Sequence, residues 1–501
     1  MLYFDTRLAW RPGFVRATAH IALMYAALLG IATTLGTYRS LPAAEPRLDE
    51  VRQALRQATT FFREQCSAGG GYVFRISEDL TLREGEAKVG PTTAWIEPPA
   101  TPAVGLAYLQ AYQLTREPSL LQAAQATAEA LLQGQLLSGG WTEQIEFAPA
   151  DRRVYAYRVD DSQVAGRRNT TTFDDDKTQS AIRCLMRLDL ELKQTDERLH
   201  EAVLYALNGM LQAQYACGAW PQKYDGLPLE GGAPALQASY PESWSREFPN
   251  QKYTGYYTLN DGTLSDIIQT LLEAGEVYQD PRYTDAALRG GEFLLRAQMP
   301  EPQPGWAQQY DPNMHPAWAR KFEPPAISGG ESQEVMRLLL KLYRHTTDRR
   351  YLDAVERALV YYQKSLLPSG QLARFYELHT NRPLYFTKTY ELTYSDSDLP
   401  THYGFIVSSG LERLTRDLEK LKWQPPEPLA PLVSPPEKPR LSDRLRDETA
   451  RVLADLDERG AWVEEGKLRT HPESNVQRII SSATFIQNLQ TLAQFIAASV
   501  P

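Results

Sequence analysis

Carboxylates gather at two helix starts in this chain, and cations gather in two later loops. The segment RNTTTFDDDKTQ carries Asp174, Asp175 and Asp176, and YYTLNDGTLSD carries Asn260 and Asp261 at the corresponding point of a later unit. Asp in a first helical turn satisfies free N–H groups and complements the helix dipole, which accounts for one or two of these residues. Recurrence of Asp at one structural position also collects hard oxygens, and calcium takes about six to eight of them. The spacing is not that of an EF-hand loop. A third segment, GWAQQYDPNMHPAWARKFEPPAISGGES, holds Tyr310, Asp311, Arg320 and Glu323 in a long loop before a helix. A loop of that length inside a compact domain is usually functional. A fourth, SGQLARFYELHTNRPLYFTK, holds Arg374, Arg382 and Lys388 with the alternation of a short strand or hairpin. Such cations supply the local positive field that a polyanionic ligand needs on an acidic protein; an ordinary surface ion-pair network is the alternative.

Helix pairs must position these groups. LDEVRQALRQATTFF places Val51, Leu55, Ala58 and Phe62 on one helical face. Four later stretches repeat a pattern: a charged turn, an amphipathic helix, then Gly or Ser-Gly and an apolar residue, ending at Trp141, Trp220, Trp306 and Leu372. Each also passes a Gln. Gly stops a helix because it tolerates positive φ. Another helical segment precedes each unit. One helix pair cannot bury its own apolar face, so the pairs must stack. The period of roughly 50–90 residues, stretched by long loops, predicts an all-α dominated α/α toroid with short strands in the loops of its active end. Function concentrates on such loops.

Composition sets outer bounds. The 501 residues carry a net charge of −9, which disfavours nucleic acid as a partner. The 27 Tyr and 9 Trp suit either ring stacking on sugars or an aromatic toroid core. Cys66, Cys184 and Cys217 form no disulfide framework and no zinc pattern, though pairing of Cys184 with Cys217 stays open. Arg7, Arg11 and Arg16 precede the apolar run 21–36, and Ala43 and Ala44 follow it. That is the layout of a secretory signal; an uncleaved anchor is the rival, and only then is a membrane involved. The expected organisation is a leader over 1–44, a toroid over 45–423, a Pro-rich linker over 424–440 and a helical segment over 441–501. The last either packs back on the toroid or stands apart. A monomer that is secreted or periplasmic is expected.

In combination, TTFDDDKT, GAWPQKY, TLNDGT, GWAQQYDP with WARKFEPPAISGGES, and LARFYEL followed by TNRP resemble the pectate lyases of polysaccharide lyase family 10. The resemblance spans Gln57 to Leu414. It implies calcium-dependent β-elimination on polygalacturonate, an acidic polysaccharide. Asp174, Asp175 and Asp261 then fall at the calcium site, with Asp174 also touching substrate. Asp175 stands where that family commonly has Asn. Arg320 matches the proposed catalytic base, and Arg374 a cleft arginine; Tyr310 and Arg382, from the same loops, are assigned to substrate. A neutral Arg320 would need nearby cations and a desolvated setting. Two other enzyme classes share such a scaffold. A glycoside hydrolase would recruit a carboxylate pair such as Asp174 and Asp261. The segments Gln135–Trp141 and Gln214–Trp220 also fit the Gln…Gly-x-Trp motif of terpene cyclases, but FDDDKT does not match their Asp-x-Asp-Asp. A binding toroid without activity is the non-enzymatic reading.

Overall fold

A computed structural model describes residues 45–160, 166–229, 236–424 and 431–500. The expected leader, and residues 425–430 of the expected linker, lie outside them. Its helices are α1 (Leu48–Phe61), α2 (Thr101–Thr115), α3 (Pro118–Gly134), the single turn α4 (Pro149–Arg152), α5 (Lys177–Glu191), α6 (Glu197–Gln212), α7 (Thr263–Tyr278), α8 (Pro281–Ala297), α9 (Glu331–Thr346), α10 (Arg349–Lys364), α11 (Leu411–Trp423), α12 (Asp443–Ala454) and α13 (Ser482–Ser499). None of the described helices is long and apolar enough to cross a membrane.

The helices form an α/α toroid of outer and inner members. Inner helices α13, α2, α5, α7, α9 and α11 touch one another in that order. Outer helices α12, α1, α3 and α6 touch in turn, as do α8 and α10. Each unit therefore runs outer helix, tight turn, short strand, inner helix. Charged turns start the outer helices: the side chains of Asp196, Asp280 and Asp348 accept from backbone N–H groups of α6, α8 and α10.

The sequence signature at the end of each outer helix has a physical reason. Trp141, Trp220 and Trp306 are fully buried, and each indole Nε1 donates at 2.8 Å to a carbonyl of its own outer helix (Leu131, Met210, Leu294). In these three units a Gln bridges its own turn to the next outer helix, as Gln135 Nε2 does to Gly139 O at 3.1 Å and Ala202 O at 2.9 Å, and Gln214 and Gln298 do likewise. Gly218 has φ 96°, and a Cβ there would lie 2.3 Å from the Arg289 carbonyl on α8. Only glycine meets both demands.

The C-terminal segment repeats this device. Trp462 Nε1 donates at 2.9 Å to Val452 O of α12, and Gly460, at φ 92°, presses on the Gln57 backbone of α1. α13 packs against α1 and α2, so 441–500 supplies a sixth outer–inner unit beside the N-terminal one.

Antiparallel ladders stitch neighbouring units where the inner helices begin. Arg75–Ser77 pairs with Arg478–Ser481, Thr93–Trp95 with Gln144–Glu146, and Thr171–Thr172 with Lys223–Tyr224. Tyr257–Thr258 pairs with Gln309–Tyr310, and Ala326–Ser328 with Phe375–Glu377. Over the last ladder sits a small second core of Trp318, Phe322, Phe375, Leu384, Phe386 and Phe405. Cys66, Cys184 and Cys217 are buried free thiols; Cys184 and Cys217 are not paired.

Candidate active site

The two Asp-bearing junctions are short 3-10 turns in contact with each other, Asp174–Asp176 ahead of α5 and Asn260–Gly262 ahead of α7. Asp175 and Asp261 hold left-handed backbone conformations at the same point of each turn, as do Asp176 and Gly262 beside them. Plain capping does not account for these carboxylates. Asp176 precedes α5 without a side-chain cap bond, and its carboxylate pairs with Arg183 at 2.5 Å instead. The turns aim carboxylate oxygens of Asp174, Asp175 and Asp261 to within 4.8 Å of one another.

Burial and mutual repulsion shape their acidity. Burial first, then the charge of Asp175, push Asp174 up to about 6, against the opposing pull of Lys177. Burial raises Asp261 well above its ordinary value, helped by Asp175, Glu331 and Asp174. Asp174 Oδ1 is buried with no hydrogen-bond partner among the described residues. Asn260 Nδ2 donates to Asp261 Oδ2 at 2.6 Å, while its Oδ1 accepts from Gln308 Nε2 at 2.8 Å. Lys177, with a side chain 3% exposed, places Nζ 2.8 Å from Asp175 and 3.1 Å from Glu97. A set of converging hard oxygens, mutually repelling and including an unpartnered buried one, fits a hard divalent cation such as calcium.

Arg320 faces this cluster, its NH2 3.9 Å from Asp261 Oδ2. A tight turn brings Glu323, 1% exposed, back to it: the Arg320 backbone N–H and Nε both donate to Glu323 Oε2, at 3.0 and 2.8 Å. Burial works against the Arg320 charge, but the Glu323 hydrogen bond and charge outweigh it and hold the pKa above its ordinary value. The surroundings in the protein alone therefore favour the guanidinium cation; accepting a proton requires that the nearby negative charge be offset. Arg374 NH1 donates at 3.0 Å to Glu331 Oε1 and its Nε at 2.8 Å to Gly404 O. The ring of Tyr403 lies beneath both arginines.

One assignment from sequence is corrected by the structure. Tyr310 is fully buried, its hydroxyl donating at 2.6 Å to Ala297 O and accepting from Ala307 N–H at 2.8 Å, so it is a packing residue with no face toward a ligand. Arg382 is exposed but stands apart from Arg374. It lies opposite Glu377 across the hairpin, about 10 Å along the strand, and its guanidinium rests on Tyr394 at 3.4 Å. Asp174, Asp175, Asp261 and Arg320 do come together, with Arg374 tied in through Glu331 and Tyr403. Sequence reasoning missed Lys177, Gln308, Glu331 and Tyr403. Lys177 stands two residues from Asp175 in DDDK, a signal that a compensating cation was present. Tyr403 sits in an irregular segment with no pattern to mark it.

Fold and site together define a helical-toroid protein with an acidic mouth flanked by arginines. Within it, residues 135–369 match the family described as pectic acid lyase, which bears out the resemblance seen in the sequence. That region includes the Asp cluster and Arg320; Arg374 lies just past its end. Among solved structures, a family 10 polysaccharide lyase from Cellvibrio cellulosa is similar at 19% identity, over 63% of this chain and 96% of its own, with a TM-score of 0.44. A mutant of the Cellvibrio cellulosa family 10 lyase in complex with trigalaturonic acid is similar at 19% identity, over 64% of this chain and 98% of its own, with a TM-score of 0.43. An unsaturated glucuronyl hydrolase from Streptococcus agalactiae is similar at 11% identity, over 94% of this chain and 98% of its own, with a TM-score of 0.39. A comparison with curated protein sequences gave no significant match.

Proposed function

We propose that this protein cleaves polygalacturonate by calcium-dependent β-elimination. The observation that carries the reading is the placement of Arg320 3.9 Å from Asp261, at the edge of the three-carboxylate cluster. The match of residues 135–369 to the pectic acid lyase family supports it. Asp174, Asp175 and Asp261 would hold the ion, which when bound offsets their charge and draws electron density from a uronate carboxylate.

The residues of the chain then divide the work. Arg374 presents a guanidinium suited to a substrate carboxylate, and its bond to Glu331 fixes its direction. In its deprotonated form, Arg320 would take the proton α to that carboxylate. The electron pair left behind forms the C4–C5 double bond as the C4–O4 bond breaks, and the leaving oxygen takes a proton from solvent. Negative charge that grows on the substrate carboxylate lies between the two arginines, where it is stabilised. We also place the protein outside the cytoplasm, secreted or periplasmic, on the strength of the leader-like run 21–36.

The test is ultraviolet absorbance of unsaturated uronides during incubation with polygalacturonate, with calcium and then with a chelator. A rise that the chelator stops supports the proposal. New reducing ends without absorbance point to a hydrolase, and calcium-dependent binding without product points to a binding protein.

A further inference from the structure

We propose that Tyr403 is a positioning residue that locks Arg320 and Arg374 into one unit. The kinetic arm of its test rests on the lyase reading above; the spectroscopic arm does not. Tyr403 comes from the irregular segment between the strands Leu392–Thr393 and Ile406–Val407. Its hydroxyl donates to Glu323 Oε1 at 3.0 Å and accepts from Gln308 Nε2 at 3.0 Å and Arg374 NH1 at 3.3 Å. A phenol has one proton to give and two lone pairs, so this oxygen is fully used.

Each partner leads to a different part of the site. Glu323 grips Arg320, and Arg374 is paired with Glu331. Gln308 donates to Asn260, which in turn donates to Asp261. One hydroxyl thus ties both arginine–glutamate pairs to the carboxylate cluster. The ring plane is set by Phe322 at 4.8 Å and Phe405 at 5.1 Å, and it carries the guanidinium of Arg374 at 4.8 Å and that of Arg320 at 5.5 Å. Hydrogen bonds shared through one hydroxyl couple the positions of the groups they join. Without the hydroxyl, Glu323 keeps Arg320 but loses its link to Arg374, and the two cations no longer share a fixed spacing.

The test uses the full chain with Tyr403→Phe, which keeps the ring and removes the hydroxyl. Side-chain N–H signals are read in 15N-arginine-labelled protein and assigned with Arg320→Lys and Arg374→Lys. The expected result is that both arginine signals shift or broaden. On polygalacturonate, kcat falls about tenfold, with a smaller change in KM. The Phe effect shrinks in an Arg320→Lys background, because the phenol acts through that arginine. Unchanged arginine signals, or a kcat loss just as large in the Arg320→Lys background, would overturn the proposal. If the wild type forms no unsaturated product, the lyase reading fails and the arginine signals still decide the role of Tyr403. Should Tyr403→Phe not fold, Tyr403→Leu, which also removes the hydroxyl, is read by the same arginine signals with the same two outcomes.

Discussion

Asp175 and Asp261 share one backbone conformation at the same point of consecutive inner units, φ 50° and ψ 38° against φ 47° and ψ 37°. A left-handed non-glycine residue costs roughly 1–2 kcal/mol, and these two turns hold three of them, Asp175, Asp176 and Asp261. Two such turns in contact aim their carboxylates at one point. Strain repeated at equivalent positions is what a built site requires, and helix capping alone does not.

Asp261→Asn preserves side-chain shape and removes one charge from the cluster. The calcium concentration for half-maximal activity rises at least about tenfold, since ligand charge sets affinity at such sites. Calorimetric calcium titration checks this. Added calcium also raises the melting temperature of the wild type and much less that of the variant. An unchanged calcium response would move the metal site elsewhere.

Arg320→Lys keeps a cation near Glu323 while losing the guanidinium fork. Turnover on polygalacturonate falls by about 10³, within the range for removing a proton-transfer group. Lysine is the better probe than alanine, because Arg320→Ala strands a Glu323 carboxylate that is 1% exposed. Circular dichroism and a thermal melt confirm the fold, and near-normal turnover in a folded variant would remove Arg320 as the base.

Between the inner helices, burial and then the charge of Asp176 push Asp266 from an ordinary 3.8 up to about 8. Burial and then Glu331 push Glu334 up to about 7. The unfolded chain gives up these protons near pH 4, whereas the fold retains them to higher pH. Stability from these groups is therefore full below pH 4 and lost as pH rises through about 7 and 8. Thermal melts from pH 5 to pH 9 should show a decline that Asp266→Asn flattens. A variant with the wild-type slope would show that Asp266 does not titrate there.

Trp462 makes the C-terminal unit part of the toroid. It is buried, with its indole N–H bonded to α12 and its ring 6.0 Å from Phe485 of α13. Trp462→Ala should destabilise the protein by about 3–5 kcal/mol, the usual cost of emptying an aromatic site. Removing 441–501 should expose the apolar faces of α1 and α2 and yield insoluble protein. Denaturant titration measures the first, and a soluble truncated chain with wild-type melting would refute the second.

Much of this was legible along the chain. The Gly-x-Trp endings, the Asp caps of the outer helices and the alternating apolar faces specify helix pairs locally, because capping, glycine backbone freedom and amphipathic period act within a few residues. The Asp clusters and Arg320 were legible for the same reason: each stands at a marked junction. GAW462 carries the same ending as Trp220, so the sixth unit was written in the sequence and its contact with α1 was not. The tertiary structure alone decided which side chains share a space. Tyr310 and Arg374 both looked available in loops, yet the fold buries one against Ala297, because ladder register turns it inward, and leaves the other at the bend between Leu372–Ala373 and Phe375–Glu377. Tyr403 meets Glu323 from 80 residues away. Such a meeting depends on the packing of whole units and on the requirement that buried polar groups find partners, and no local pattern records it.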